Sequence, residues 1–302
     1  MSNIININIL RIVVFFLISA FFVAGVSGCG SSASKSVESK MMPVLRIGAI
    51  PAESKVKTID QFAKFMDYLG RKTGCKVELY VADNYEGIIN KMKQGDLDIA
   101  WFGPFSYIIA AETAGARAFA IDDNIKNGTN YHSVFIVHPA SNINSIKDFK
   151  GHTLAFVDKA STSGYLIPQV ILKRQGIDID HDFVNIQFAG NHDVAILAVK
   201  KRQVDIAAVA DNILFSLQEK GIVGDKDFKI IASSETIPSN VWAYREGLSP
   251  ELLTKVRQAF FDVSQEEKAS LGMYGKDLVT GFVPITDKQY DIIRDTVKEL
   301  GI

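Results

Sequence analysis

NYEGIINKMKQGDLDIA, residues 84–100, returns later in the chain as NHDVAILAVKKRQVDIA, residues 191–207. In each stretch an asparagine opens one amphipathic helical period, and an Asp-Ile-Ala triplet at identical spacing opens a short β-type run. Chance could give the triplet twice, since any α/β chain repeats its motifs loosely. The shared cap, helix and spacing favour two similarly built lobes.

The same alternation extends in both directions. LRIGAIP (45–51), TIDQFAKFMDYLGRKTG (58–74) and VELYVA precede the first repeat; TLAFVD (153–158), GYLIPQVILKRQG and FVNIQFA precede the second. This order predicts an α/β fold with helices on a largely parallel sheet in each lobe. Strand carboxyl ends and the helix N-termini that follow them then surround a shared crevice. The segments expected there are the loop after Ile50, WFGPFSY (101–107), the STSG turn (161–164), GNHD (190–193) and ADN (210–212). All but the first open a helix, so several positive helix ends converge.

DKASTSGYLIP (158–168) puts Ser161, Thr162 and Ser163 directly before a helical run. Such hydroxyls serve either as a helix cap or as part of an anion pocket, and the convergence of helix ends favours the pocket. The anion must be small. With 33 basic residues interspersed among 34 acidic ones and a net charge of -1, the chain has no footprint for nucleic acid. Pro168, inside the expected helix, should bend or delay it.

Two strand-like crossovers, HSVFIVHP (132–139) and SNVWAYR (239–245), are the expected hinge. They divide the chain into lobe 1 at 44–135 plus 242–302 and lobe 2 at 136–241. The helices SPELLTKVRQAFFDVSQ and TDKQYDIIRDTVKEL are expected to fold back onto the first lobe.

The N-terminus is a separate case. IVVFFLISAFFVAGV (12–26) is short for a membrane span but right for a signal-peptide core, and it ends in VSGC, which looks like a bacterial lipobox. Residues 1–28 are expected to be a lipoprotein signal peptide with Cys29 lipidated, the alternative being an uncleaved anchor. Residues 29–43 form a Ser-rich tether. Only Cys75 then remains, so neither a disulfide nor a cysteine metal site is expected.

AWFGPFSY (100–107), SVFIVHPASNINSIKDFKG (133–151), DKASTSGYLIPQ (158–169), FAGNHDVAILAVKKRQVDIAAVADN (188–212) and IPSNVWAYREGLSPE (237–251) together resemble the phosphonate/phosphite/phosphate-binding components of ABC importers. That resemblance implies a two-lobed Venus-flytrap of the type II periplasmic binding protein class that closes on its ligand without chemistry, cofactor or metal. It implies a monomer outside the cytoplasm, in the periplasm or on the outer face of the membrane, delivering a phosphorus oxyanion to a permease and its ATPase.

Within the family pattern, Ser161, Thr162, Ser163 and His192 hold the phosphono group. Phe102 stands where some relatives have Tyr, so Tyr107 and Tyr131 become the candidate phenolic donors; Trp101 and Phe105 fit a core equally well. Relatives that bind 2-aminoethylphosphonate hold its ammonium with acidic residues, where this chain has Asp211 and Asn240. Asp211 could accept a proton from a protonated oxyanion, favouring phosphite, phosphate or a simple alkylphosphonate, or could cap the helix that follows. Two other readings stay open: a ligand-binding partner of a membrane sensor kinase, and an enzyme on the same fold, for which no Ser-His-Asp order is found.

Overall fold

The computed structural model describes residues 42–271 and 279–302. The expected signal peptide, Cys29 and all but the last two tether residues lie outside them. In the first lobe the chain runs β1 (Val44–Ala49), α1 (Lys55–Thr73), β2 (Lys76–Val81), α2 (Tyr85–Lys93), β3 (Ile99–Phe102), α3 (Pro104–Ala114) and β4 (Arg117–Asn124). It crosses through β5 (Asn130–Tyr131) into β6 (Ser133–Val137), β7 (Thr153–Phe156), α4 (Ile167–Arg174), β8 (Asn185–Phe188), α5 (His192–Lys200), β9 (Ile206–Ala210), α6 (Asp211–Glu219) and β10 (Lys229–Ser233). It returns through β11 (Ile237–Pro238) to β12 (Val241–Tyr244), α7 (Pro250–Phe261), α8 (Gln265–Ser270), β13 (Val279–Pro284) and α9 (Asp291–Leu300).

The repeat is structural. Asn84 and Asn191 each cap a helix by accepting from the amide three residues on, Gly87 and Val194. Asp98 and Asp205, the first residues of the two triplets, each accept from the backbone amide of the central strand, at Arg46 and Thr153. One sheet has the order β13-β4-β12-β3-β1-β2 and the other β10-β6-β9-β7-β8. In both, three parallel strands (β2-β1-β3 and β8-β7-β9) are followed by a strand that enters antiparallel from the crossover.

Two expectations change here. The sheets are mixed rather than largely parallel, because β12 and β6 run back against β3 and β9. The hinge also moves. All five residues of β6 pair with β9, and β12 pairs only with β3 and β4, so neither strand is a crossover. The crossing itself is the two-residue ribbon in which Tyr131 pairs with Ile237 and Asn130 with Pro238. The lobe boundary therefore falls before Ser133, not after Phe135.

The outer face of the first sheet is closed by α1 and α7, where Phe65 and Phe260 meet Trp242 edge-on at 5.9 and 5.1 Å between ring centroids. α9 does not stay on the first lobe as expected: it packs on α3 and also on α4, where Arg174 forks onto Glu299 at 2.7 and 2.8 Å.

Candidate functional site

Pro168 explains the shape of the turn that precedes it. A proline has no amide for the carbonyl four residues back. The Gly164 carbonyl, freed in this way, accepts instead from Val157 at 3.0 Å, and Leu166 bonds back five residues to Ser161. The result is a π-type turn over Thr162–Leu166, with α4 starting only at Ile167. Gly164 is required by this contact, since a Cβ there would stand 2.4 Å from a Val157 methyl. The turn thus lies tight against the end of β7, with Ser161, Thr162 and Ser163 all buried.

These three residues line a cavity of about 20 Å³ together with Ile50, Ala52, Tyr85, Gly103, Tyr131, His192, Ala210, Asn212, Ile213 and Asn240. Among the described residues that line it, none carries a fixed charge. The first residues or caps of α2, α3, α5 and α6 (Tyr85, Gly103, His192, Ala210) all meet there, so four positive helix ends face one space.

Each polar group is poised as a neutral donor. The Ala210 amide donates to His192 Nδ1 at 3.0 Å, which leaves the ring hydrogen on Nε2. Burial lowers the His192 pKa to about 4, so the ring is uncharged at neutral pH. Thr162 Oγ1 accepts from the Phe105 amide at 2.8 Å, leaving its own hydrogen to give. The Tyr131 phenol, pushed up to about 12 by burial, faces the Ser163 and Thr162 hydroxyls, and the Tyr85 phenol, also raised by burial, faces Ser161. Ser161 is both things the sequence allowed, accepting from the Gly164 amide as a cap while lining the cavity.

The lobes are closed over this space. His192 donates its amide to the Ala52 carbonyl at 2.9 Å, Tyr85 donates its amide to Asp158, and Lys57 reaches Asp193 at 2.8 Å. The helix-end amides of Phe105, His192 and Asp211 are thus used within the protein, and side chains supply most of the donors.

Residues 47–290 match the family described as ABC transporter, phosphonate, periplasmic substrate-binding protein. The chain belongs to this family. It is 30% identical to the phosphate-import protein PhnD of Mycolicibacterium smegmatis over 91% of this chain and 92% of that one. It is 32% identical to the phosphonates-binding periplasmic protein of Escherichia coli K12 over 76% and 70%. A binding component of an ABC phosphonate transporter from Pseudomonas aeruginosa superimposes with a TM-score of 0.79 at 29% identity, covering 84% of this chain and 85% of that one. Members of the phosphonate-binding family are extracytoplasmic transport components, not enzymes. Among the described residues no helix is long and apolar enough to cross a membrane, and no group of side chains is placed to hold a metal ion.

Not every residue singled out from the family pattern reaches the cavity. Tyr107 is fully buried on the far side of α3, where its hydroxyl donates to Asp287 at 2.7 Å and accepts from the Ala118 amide. Phe102 is core, packed on the inner face of its sheet. Asp211 is not the cap of α6, which is Ala210, and its carboxylate faces the crossover, accepting from the His132 amide and from Asn127. Asn240 and Tyr131 do line the cavity.

Beside it lies a second cavity of about 80 Å³, which shares Asn212, Ile213 and Asn240 with the first and adds Glu53, Gln61, Phe62, Trp101, Asp122, Asn124, Ser216 and Val279. Burial raises the Asp122 pKa to about 7 although Trp101 and Trp242 both donate to it. Asn212 belongs to the ADN segment expected at the crevice, whereas Tyr85 was not singled out from sequence. Tyr85 had a signal: it holds the place after Asn84 that His192 holds after Asn191.

Proposed function

We propose that this binding protein captures a small phosphorus oxyanion (phosphate, phosphite or a phosphonate) in the hydroxyl cage and delivers it to an ABC importer. The observation that carries this reading is the cage itself: three hydroxyls, two phenols and a tautomer-fixed imidazole around one space with no cation. Such donors make charge-assisted hydrogen bonds to oxyanion oxygens, each roughly twice as strong as a neutral one. The two cavities together offer about 100 Å³, which suits a ligand of a few heavy atoms rather than a nucleotide or peptide. Relatives named for phosphate and for phosphonates agree on the phosphorus oxyanion and differ on what is attached to it. With Asp211 turned to the crossover, preference for a protonated oxyanion has no carboxylate behind it.

The test is calorimetric titration of purified protein with phosphate, phosphite and methylphosphonate. At least one should bind with 1:1 stoichiometry, and Thr162→Ala should weaken it by about 1–3 kcal/mol. No heat from any of the three would reject the reading. The anchor belongs to the same proposal: Val26-Ser27-Gly28-Cys29 supports lipidation of Cys29. Cys29→Ser should move the protein from the membrane to the soluble fraction.

A further inference from the structure

α9 is fastened at both ends, and the two ends lie on different lobes. Its base is built into the first lobe beside the crossover. Tyr290, fully buried, donates its hydroxyl to the Ser239 carbonyl at 3.2 Å, and Asp287 receives both the Tyr107 hydroxyl and the Arg294 guanidinium, at 2.7 and 2.8 Å. Ile293, in the first turn, is 1% exposed and belongs to the apolar cluster that also holds Ile108 of α3. The tip lies on the second lobe. There the Glu299 carboxylate takes the forked guanidinium of Arg174, and the Glu299 carbonyl accepts from Lys173 at 2.9 Å. A carbonyl in a last helical turn has no helix amide of its own, and a cation beside it also meets the negative end of the helix dipole.

We infer that α9 bridges the lobes only when they are shut, and that Glu299, Arg174 and Lys173 are positioning residues that raise anion affinity by favouring the shut form, without touching the anion. The inference rests on the reading of the chain as a protein that closes on a phosphorus oxyanion. None of the three residues lines the cage or the side cavity. Rotation of the lobes about the ribbon of Asn130–Tyr131 and Ile237–Pro238 shifts α4 against α3, and one rigid helix cannot follow both. The tip is the end that yields. The side chains of Arg174 and Glu299 are 62% and 38% exposed, so water replaces each partner as they separate. Parting the base would instead strand the buried Tyr107 and Tyr290 hydroxyls, at a greater cost. Contacts made in one form only shift the balance toward that form, and the balance scales the apparent affinity.

The test is stopped-flow release, with calorimetry, of whichever of phosphate, phosphite and methylphosphonate binds the native protein most tightly. Glu299→Gln and Arg174→Gln should each speed release and weaken affinity by about two- to fivefold, the range for one exposed ion pair. The association rate should stay nearly constant, because the bridge forms after capture. The reversed pair, Arg174→Glu with Glu299→Arg, should recover part of the loss. Lys298→Ala breaks an exposed pair with Asp295 that stays within α9, and should leave release unchanged. Unaltered release in both single variants would overturn the inference while leaving the cage intact. A like change in Lys298→Ala, or no recovery in the reversed pair, would assign the effect to the helix itself and overturn it too. If none of the three anions binds the native protein, the cage reading falls and this inference with it.

Discussion

Tyr85 and His192 are structural counterparts: each follows the asparagine that caps its helix, one per repeat, and each lines the cavity from its own lobe. The closed site is therefore two copies of one helix start facing each other, with a phenol in one copy and an imidazole in the other.

Tyr85→Phe removes one donor and little volume. Anion affinity should fall by about 1.5–3 kcal/mol, the range for a hydrogen bond to a charged group, with the melting temperature of the ligand-free protein nearly unchanged. An unaltered dissociation constant would take Tyr85 out of the cage.

His192 makes stability depend on pH with a defined sign. Its folded pKa is about 4 against an ordinary 6.5, so on acidification the unfolded chain takes the proton first. The contribution of the neutral ring is complete above about 6.5 and is lost as pH falls toward 4, a gap of about 3 kcal/mol. The stability of the native protein minus that of His192→Asn, from urea unfolding, should shrink between pH 7 and pH 4.5. A constant difference would show that the ring titrates normally.

Gly164→Ala would set a Cβ 2.4–2.5 Å from the Val157 side chain. Overpacking of this kind costs about 1–3 kcal/mol and should push the Ser161–Ser163 turn off the end of β7, weakening anion binding as well. Val157→Ala in the same chain should restore part of both losses. If it restores neither, the contact is not what fixes the turn.

Lys57→Met breaks the ion pair that spans the lobes and leaves Asp193, 3% exposed, without its cation. Because the pair exists only when the lobes meet, the loss should fall on the closed form and show as faster ligand release, with affinity lower by about 1–2 kcal/mol. Stopped-flow dissociation measures this directly, and an unchanged off-rate would assign the pair no part in closure.

The parts of this molecule written into short segments were legible in its sequence. The paired Asn caps, the Asp-Ile-Ala strands and the hydroxyl turn depend on local spacing, and so does the position of His192. What escaped depends on partners far along the chain. Tyr107 is a plausible donor until Asp287, 180 residues away, takes its hydroxyl. Asp211 looks like a ligand or a cap until the crossover supplies the His132 amide and Asn127. The hinge was misplaced because β6 and β12 have the composition of any buried strand, and only pairing reveals which sheet owns them.

That none of the described residues lining the hydroxyl cage carries a fixed charge bears on how cargo is given up. A lysine or arginine sealed beside an anion would hold it strongly even in a half-opened cleft, because unlike charges attract over many ångströms. Hydroxyls and imidazole N–H groups act only at contact, and water can stand in for each of them. A membrane partner would need to part the halves by little more than the width of a solvent molecule before the grip lapses, which suits a carrier that must unload as readily as it loads.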